Sequence, residues 1–294
     1  MELEDLAIFR TVVQEGGILK AARKLHRVPS SVTTRVKQLE ASLGAQLFHR
    51  DRQRLHLSQS GHQLLDYADR LLRLSSEARE AIAGGAPRGV LRLGALESTT
   101  ASRLPSVLAS YHRRYPDVRI ELTTGTNDAL VAALQARRID AAFVVEAPSG
   151  NGIDAMPLFR ERLVIISSRD HAPIVRAQDV QDDSVIAFPT GCAYRRVLAR
   201  WLGDRRMASI RVLDLGSYHA IVACVAAGTG IALVPEAVLA TFKGPPVMRH
   251  RLPSAYAHVI TPLVWREGEG SAALAALRDA LRPHAASRLV PGPR

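Results

Sequence analysis

Cysteine, lysine and long apolar runs are scarce in this sequence of 294 residues. The two cysteines, Cys192 and Cys224, are too few for a disulfide framework or a four-thiolate zinc site. No stretch reaches about 18 apolar residues without a charge, which excludes a transmembrane helix. The acidic first residues lack the basic and then apolar pattern of a signal peptide. These absences predict a soluble, reduced, cytoplasmic protein with no membrane partner.

The sequence also lacks the compact motifs that many enzymes carry. Its ten histidines are scattered, and none stands at ligand spacing from a second histidine or a carboxylate. There is no phosphate-binding loop and no Gly-x-Ser-x-Gly elbow. Gly228-Thr229-Gly230 is a weak nucleotide signal, better explained by a tight turn before a buried strand. We therefore predict that the protein is not an enzyme and holds neither metal nor cofactor.

The composition is that of a globular protein, but the charge is uneven. Apolar residues make up 47% and charged residues 23%, and the length predicts roughly two domains. Residues 20–54 hold nine basic and two acidic side chains, whereas residues 90–294 hold 25 and 18. Such a dense basic block is typical of a polyanion-binding surface, although a solvated basic face would have the same composition.

Three short helical patterns open the chain. Apolar positions over residues 3–14 follow a 3.6-residue period until Gly16-Gly17, and the pattern resumes from Ile18 to Leu25. Pro29 suits the first position of a third helix, which Gly44 ends. A tight turn between the second and third helices is typical of a helix-turn-helix.

The next segments predict a hairpin and one long helix. Two apolar runs around the basic residues 50–54 indicate a wing. From Ser58 apolar positions continue to Ile82, which predicts one helix of roughly 25 residues. Because a small N-terminal domain cannot cover its apolar face, we expect a second chain to do so, as a homodimer. The run 84–89, rich in glycine, is the clearest linker.

Strand and helix patterns alternate beyond the linker. Strands are predicted at 90–96, 119–123, 141–145, 163–167, 184–188, 211–213, 231–234 and 258–264, and helices at 103–115, 127–136, 195–202, 218–227 and 271–282. Such alternation implies a parallel sheet with both faces covered. The predicted fold class is α/β, preceded by a winged helix-turn-helix and a long linker helix.

Motifs in both regions resemble those of LysR-type transcriptional regulators. Near the N-terminus these are Ala21-Ala22-Arg23-Lys24-Leu25-His26, Leu43-Gly44 with Leu47-Phe48 and Arg50, and Leu57-Ser58 with Gly61. Downstream they are Tyr115-Pro116-Asp117-Val118, Ile139-Asp140 and the run 227–235. The segments 191–196 and 216–221 are similar to the branch that includes the glutamate-synthase regulator of bacilli.

The resemblance spans essentially the whole chain. It implies binding of double-stranded promoter DNA and a small-molecule effector, a homotetramer, and contact with RNA polymerase if the protein is an activator. It also implies an effector domain like the periplasmic binding proteins, with two α/β subdomains around a cleft. We predict domains at 1–58, 59–89 and 90–294, with subdomain I at about 90–161 and 266–294 and subdomain II at about 162–265.

The third helix departs from the family pattern. Val28-Pro29-Ser30-Ser31 stands where the family usually has Ser-Gln-Pro-Ala, so base preferences cannot be transferred. A helix in the major groove presents its N-terminal residues to base edges, and the candidates there are Ser30, Ser31, Thr33, Thr34, Arg35 and Lys37. On the wing, Arg50, Arg52 and Arg54 should meet phosphates or the minor groove. The serines could instead cap the helix, and the wing could be a solvated hairpin.

Hydroxyl-rich segments follow four of the predicted strands. Ligands of open α/β sheets lie at the carboxyl ends of strands, beside helix N-termini. The candidate effector-binding residues are Ser98, Thr99, Thr100, Thr126, Thr190, Cys192, Tyr194, Arg195 and Ser217. Such a pocket suits a small carboxylate, with Arg195 or Arg196 adding a charge pair. The hydroxyls at 98–100 could instead cap a helix, and a cysteine such as Cys192 is more often a buried small side chain than a redox sensor.

A second class of function remains open. The protein could be a cytoplasmic solute-binding or transferase-like α/β protein whose N-terminal module does not bind DNA. The basic helix-turn-helix and wing argue against that interpretation. Duplex DNA binding with a steep salt dependence would distinguish the two.

Overall fold

The fold is taken from a computed structural model of the chain. It describes residues 1–285 except 52–53, 84–85, 149, 151, 181–183 and 269. The chain divides into two compact units, Met1–Gly85 and Ala86–Arg294. None of the helices in the described residues is long and apolar enough to cross a membrane.

The N-terminal unit begins with three helices, α1 (Leu3–Glu15), α2 (Ile18–Lys24) and α3 (Pro29–Leu43). Gly16 and Gly44 end α1 and α3 with φ angles of 71° and 63°, a left-handed conformation that glycine adopts without steric cost. Pro29 is the first residue of α3, where its missing N–H costs nothing. The three helices bury a shared core of Ile8, Val12, Ala21, Ala22, Val32 and Val36. The predicted helix-turn-helix is confirmed.

A hairpin and a long helix complete this unit, as the sequence predicts. The antiparallel strands are β1 (Phe48–Asp51) and β2 (Arg54–Leu57), and α4 (Gln59–Ala83) follows. Ser58 Oγ accepts a hydrogen bond of 2.9 Å from the N–H of Gly61 in the first turn of α4. A Cβ at Gly61 would lie 2.3 Å from the carbonyl oxygen of Leu47. The start of α4 therefore packs so closely that only glycine fits there.

The second unit contains more elements than the sequence predicts. Its helices are α5 (Glu97–Ser102), α6 (Leu104–Arg114), α7 (Asn127–Gln135), α8 (Ala193–Leu202), α9 (Asp204–Ser209), α10 (Tyr218–Ala226), α11 (Glu236–Thr241), α12 (Ser254–Ala257) and α13 (Ala272–Leu281). Its strands are β3 (Gly89–Ala95), β4 (Val118–Thr124), β5 (Ala141–Phe143), β6 (Ile153–Ser167), β7 (Ser184–Ala187), β8 (Arg211–Asp214), β9 (Ala232–Pro235), β10 (Met248–Arg251) and β11 (His258–Arg266).

The main sheet is mixed, which corrects the prediction of a parallel sheet. Its order is β10-β6-β11-β5-β3-β4, with β9 also beside β6. Strand β3 is parallel to β4 and β5, whereas β11 is antiparallel to β5 and β6, and β6 is antiparallel to β9 and β10. Strands β7 and β8 form a separate parallel pair. The antiparallel pairings of this part of the sheet arise because β11 lies between β5 and β6 and runs opposite to both.

Two long strands connect the halves of this unit. Strand β6 pairs with β11 along its first part and with β9 and β10 along its last part, while β11 also pairs with β5. The register of β11 against β6 shifts between Thr261 and Pro262. A fold of two α/β halves joined by two continuous strands agrees with the predicted class.

Two local predictions were wrong. Residues 97–102, which were predicted to lie between a strand and a helix, form α5, although serine and threonine are indifferent helix formers. Strand β6 begins at Ile153, ten residues before the predicted start. The prediction missed the first part of the strand because those residues are partly exposed and lack a continuous apolar run. The elements α9, α11, α12 and β10 had no predicted counterpart.

Candidate functional site

The outer face of α3 carries most of the residues predicted to meet DNA. Ser30, Thr34 and Lys37 are exposed, and Ser31 and Thr33 are half-buried. The hydroxyl of Thr33 donates a hydrogen bond of 2.9 Å to the carbonyl of Pro29. The N-cap residue is Val28, which makes no side-chain cap bond, so both serines lie inside the helix and not at the cap position.

Arg35 contacts α1 in this structure. Its guanidinium lies 3.1 Å from Asp5 Oδ1 and 3.4 Å from Glu4 Oε2. Arg27 also pairs with Glu4, and the side chain of Asp5 is only 10% exposed. Two basic residues of the N-terminal block therefore connect helices within the unit, which the sequence prediction had not anticipated for Arg35.

The hairpin carries the remaining DNA candidates. Arg50 lies on β1 opposite Leu55, and Arg54 lies on β2 opposite Asp51, while Arg52 lies outside the described residues. The exposed rings of His49 and His56 stack across the hairpin with centroids 6.1 Å apart. Two imidazoles thus accompany the arginines, a pair that sequence reasoning missed and that the cross-strand register reveals.

Four buried hydroxyl groups without a partner mark the candidate effector site. Ser98 and Thr99 lie on α5, Tyr194 on α8 and Thr261 on β11, and each residue is at most 3% exposed. Within the described part of the chain none of these oxygens has a hydrogen-bond partner. An unpaired buried hydroxyl costs about 1–3 kcal/mol. We call these four residues the hydroxyl cluster.

Two tyrosines connect the hydroxyl cluster. Ser98 and Thr261 lie beside the hydroxyl of Tyr194, and Ser98 also lies beside the hydroxyl of Tyr218 on α10. The geometry between these oxygens does not meet the criteria for a hydrogen bond at Ser98 or Thr261. Burial raises the pKa of both tyrosines, so both stay neutral and able to donate. The ring of Tyr218 packs against Phe188 with centroids 4.7 Å apart. Ser98, Tyr194 and Thr261 are thus brought together from three elements, and Thr99 is included as the buried neighbour of Ser98 on α5.

A small pocket of about 10 Å³, the room of one water molecule, lies beside the two tyrosines. Cys192 and Arg195 line it together with apolar side chains of α8 and α10. Cys192 is buried, and burial raises the pKa of its thiol, which keeps the sulfur protonated. A protonated thiol is a poor nucleophile, so this environment favours the small buried side chain over the redox sensor.

The other predicted hydroxyls have local roles or are exposed. Thr100 Oγ1 donates to the carbonyl of Leu96 at 3.1 Å, which is a bond within the first turn of α5. Thr126 is the N-cap of α7 and accepts from the N–H of Ala129 at 3.4 Å. Thr190 is exposed in a turn, and Ser217 is the half-buried residue before α10. The structure does not bring these four hydroxyls into the cluster.

Both candidate arginines are paired with acidic residues of the chain. Arg195 pairs with Asp214 at 2.5 Å. Arg196 pairs with Glu146 at 2.5 Å and with Asp128 at 3.0 Å. The expected charge pair with an anionic effector is therefore not preformed at either residue.

A buried ion pair near the cluster was not predicted from the sequence. Arg103 Nε and Nη2 donate to the two oxygens of Glu161 at 2.8 and 2.9 Å, and Glu161 is only 3% exposed. The bidentate bond to Glu161 raises the pKa of Arg103. The two residues stand 58 positions apart, so no sequence spacing reveals this pair.

Glu97 was also not among the predicted site residues, although it directly follows the first predicted strand. Its Oε1 accepts from the N–H of Tyr218 at 3.4 Å, and its buried Oε2 has no partner in the described residues. Burial raises the pKa of this carboxyl. The position of Glu97 at the end of a strand could have nominated it as a site residue, because ligands bind at strand ends in α/β sheets. Over the residues that the structure describes, no group of three or more metal-binding side chains occurs.

Two family models match the chain. "Bacterial regulatory helix-turn-helix protein, lysR family" matches residues 3–62, and "LysR substrate binding domain" matches residues 84–286.

Two relatives and one solved structure cover nearly the full length. The chain is 35% identical to the HTH-type transcriptional regulator YusT of Bacillus subtilis (strain 168), over 96% of each chain. It is 33% identical to the HTH-type transcriptional regulator GltR of the same strain, over 91% of each chain. It is also similar to full-length CbnR complexed with its target DNA, with a TM-score of 0.69 and 24% identity over 97% of this chain and 100% of that one.

Proposed function

The chain belongs to the LysR family of bacterial transcriptional regulators, which bind DNA and small-molecule effectors, and we propose that its effector is a small carboxylate held by the hydroxyl cluster. The family match also confirms the resemblance inferred from the sequence motifs. The observation that carries the proposal is the set of four buried hydroxyls that lack partners among the described residues.

Neutral hydroxyls suit a carboxylate for a physical reason. Ser98, Thr99, Tyr194 and Thr261 can each donate a hydrogen bond, and bonds to an ionised oxygen are stronger than bonds between neutral groups. The pocket beside Tyr194 has space for one water molecule, so side chains around it would have to move to admit a carboxylate. Hydrogen bonds to the ligand would offset the free-energy cost of burying these hydroxyls without partners, so binding would stabilise the folded protein. We retain Thr100, Thr126, Thr190, Cys192, Arg195 and Ser217 as peripheral candidates.

For DNA, we propose that α3 enters the major groove. The residues that would face base edges are Ser30, Ser31, Thr33, Thr34, Arg35 and Lys37, and those that would contact phosphates or the minor groove are Arg50, Arg52 and Arg54. The exposure of Thr34 and Lys37 supports this division. Arg35 would have to leave Asp5 and Glu4 to reach DNA, which places it behind the other candidates.

For assembly, we propose that α4 pairs two chains and that two such pairs form a tetramer. Large apolar side chains remain exposed along α4 at Tyr67, Leu71, Leu74 and Ile82. Their spacing of four, three and eight residues follows one face of a helix, as in a helix–helix seam. The proposed division into 1–58, 59–89 and 90–294 gives this helix its own segment.

We further propose that the protein acts in the cytoplasm without catalysing a reaction. If it activates transcription, RNA polymerase is a further partner.

A thermal-shift screen of the full-length chain against small mono- and dicarboxylates tests the effector proposal. A ligand at 100 times its Kd stabilises a protein by about 2.7 kcal/mol, which gives a clear shift in Tm. Tyr194→Phe and Ser98→Ala should reduce that shift. The matched control is Thr241→Ala, since Thr241 is exposed on α11. A carboxylate that stabilises all four proteins equally would place the effector outside the cluster.

A further inference from the structure

Glu97 brings a carboxylate into the same site as the hydroxyl cluster. It precedes Ser98 on α5, and Tyr218 contacts both residues. One oxygen, Oε1, accepts the N–H of Tyr218, but Oε2 is buried and has no partner in the described chain. A carboxylate accepts up to four hydrogen bonds, so most of the accepting capacity of Glu97 is unused.

The cations near the cluster do not neutralise Glu97. Arg103 donates hydrogen bonds to both oxygens of Glu161, while Arg195 and Arg196 form ion pairs with other acidic residues. His219 is exposed and attracts Glu97 only through space. Glu97 and the Glu161–Arg103 pair together leave one formal negative charge beside the cluster. A purely anionic ligand would add a second charge of the same sign to a poorly solvated site.

We propose that the effector carries a protonated amine, received by the free oxygen of Glu97, as well as a carboxylate, and is therefore an α-amino acid. The inference rests on the proposed function and names the ligand class of that site. An ammonium group supplies three donors to Glu97 and leaves the net charge of the site unchanged, because the amino acid is a zwitterion. The hydroxyl cluster then receives its carboxylate.

Two other roles for Glu97 make different predictions. As a structural anchor of α10, Glu97 would stabilise the protein without a ligand. As a neutral acid, it would donate a hydrogen bond to an anionic ligand, which would then bind more tightly at low pH. Neither role requires an amine on the ligand.

The first test needs no ligand. A buried carboxyl with a raised pKa holds its proton in the folded state after the unfolded chain has released it, so the wild type should lose stability as pH rises from about 4.3, the unfolded value. Glu97→Gln removes this loss. Urea unfolding at pH 5 and pH 8 should show that E97Q gains stability relative to the wild type as pH rises. A variant that is less stable at both pH values, by the same amount, identifies Glu97 as an anchor and overturns the proposal.

The second test compares matched ligands on the full-length chain. The probes are glycine and the eighteen L-amino acids that have a primary α-amine and, for each, the carboxylic acid in which hydrogen replaces the amino group. For the amino acid that shifts the Tm of the wild type, we expect its partner acid to bind about tenfold more weakly or worse. E97Q should lose that preference, whereas the control Glu267→Gln, an exposed residue, should keep it.

Each other outcome counts against the amine. A partner acid that binds the wild type as well as the amino acid does, or better at pH 5.5, overturns the proposal, and so does a panel in which no amino acid binds. These outcomes are read from the wild type alone, so an unfolded E97Q does not obscure them. Binding of a simple carboxylate at the hydroxyl cluster would still support the proposed function, which separates the two failures.

Discussion

Single side chains of this protein differ in whether their polar atoms are paired. Arg35, Arg103 and Arg195 are each held by an acid of the same chain, whereas Ser98 and Tyr194 bury hydroxyls that have no partner among the described residues. Paired groups add to stability, and unpaired buried groups subtract from it. The buried hydroxyls without a partner are therefore the observation on which the effector proposal depends.

At the DNA surface, two substitutions should act differently. Thr34→Ala removes an exposed hydroxyl and methyl from α3 and should change discrimination among operator variants, by about 1–3 kcal/mol if the contact is a base contact. Arg52→Ala removes a wing charge and should weaken binding to every sequence while flattening the salt dependence. Fluorescence anisotropy over a salt series and an operator set measures both effects. Identical behaviour of the two variants would show that this division of roles is wrong.

His250 predicts how stability depends on pH. Its Nδ1 accepts from the N–H of Ile174 at 3.0 Å, and its Nε2 lies 2.8 Å from Ser167 Oγ. Burial, and secondarily His171, lowers the pKa of His250. As pH falls through about 6.5, His250 is protonated in the unfolded chain before it is protonated in the folded chain. The free energy of unfolding therefore falls as pH drops below about that value.

His250→Asn should therefore flatten the fall in unfolding free energy between pH 7 and pH 5. The slope removed is at most about 1.4 kcal/mol per pH unit. Urea unfolding at several pH values measures it, with His112→Gln at an exposed position of α6 as the control. Parallel curves for the wild type and H250N would remove His250 as the cause.

At the scale of elements, periodicity decided which predictions succeeded. The bounds of α3 and α4 follow from apolar spacing, Pro29 and Gly44, all of which are local signals. The first part of β6 and the whole of α5 carry weak local signals, and their conformations depend on neighbours that are distant in the chain. The antiparallel pairing of β11 with β6 is likewise a tertiary property.

The candidate site shows the same limit. Strand ends pointed to Ser98, Thr99 and Tyr194, all of which belong to the hydroxyl cluster. Thr261 and the Arg103–Glu161 pair could not be found, because the residues beside them lie on elements that are distant in the sequence.

The packing of α4 on the hairpin gives an element-scale prediction. Gly61→Ala would place a methyl group 2.3 Å from the carbonyl oxygen of Leu47 and 2.7 Å from a methyl of Leu57. Because a backbone atom cannot move aside cheaply, we expect a loss of about 1–3 kcal/mol. Thermal unfolding measures it, and Gly216→Ala is the control, since nothing lies within 4 Å of a Cβ there. Equal Tm values for the two variants would contradict the close approach.

At the scale of the whole molecule, the two units have separate cores and the exposed apolar face of α4 belongs to the first. A run of exposed apolar side chains such as Tyr67, Leu74 and Ile82 on one helix face is typical of a surface that another surface covers. A second copy of α4 has the matching face.

Leu74→Asp combined with Ile82→Asp should therefore dissociate the assembly. Charges at these positions would be buried without partners in a helix pair. Sedimentation velocity at micromolar concentration should show the wild type as a dimer or tetramer and the double variant as a smaller species. Gln63→Asp, on an exposed position of α4, is the control. A monomeric wild type would end the dimer proposal.

The register shift between Thr261 and Pro262 has a mechanical consequence. Pro262 contributes no N–H to the ladder, and the shift lies where β6 and β11 pass from the β5 side to the β9 side. Because the ladder loses hydrogen bonds here, we expect the strand pair to bend more easily at this point than along its regular stretches. Thr261 places one hydroxyl of the cluster beside this point, so a ligand held by that hydroxyl would contact the strand pair where we expect it to bend. Faster amide exchange at residues 260–263 than in the rest of β11 would locate this pivot.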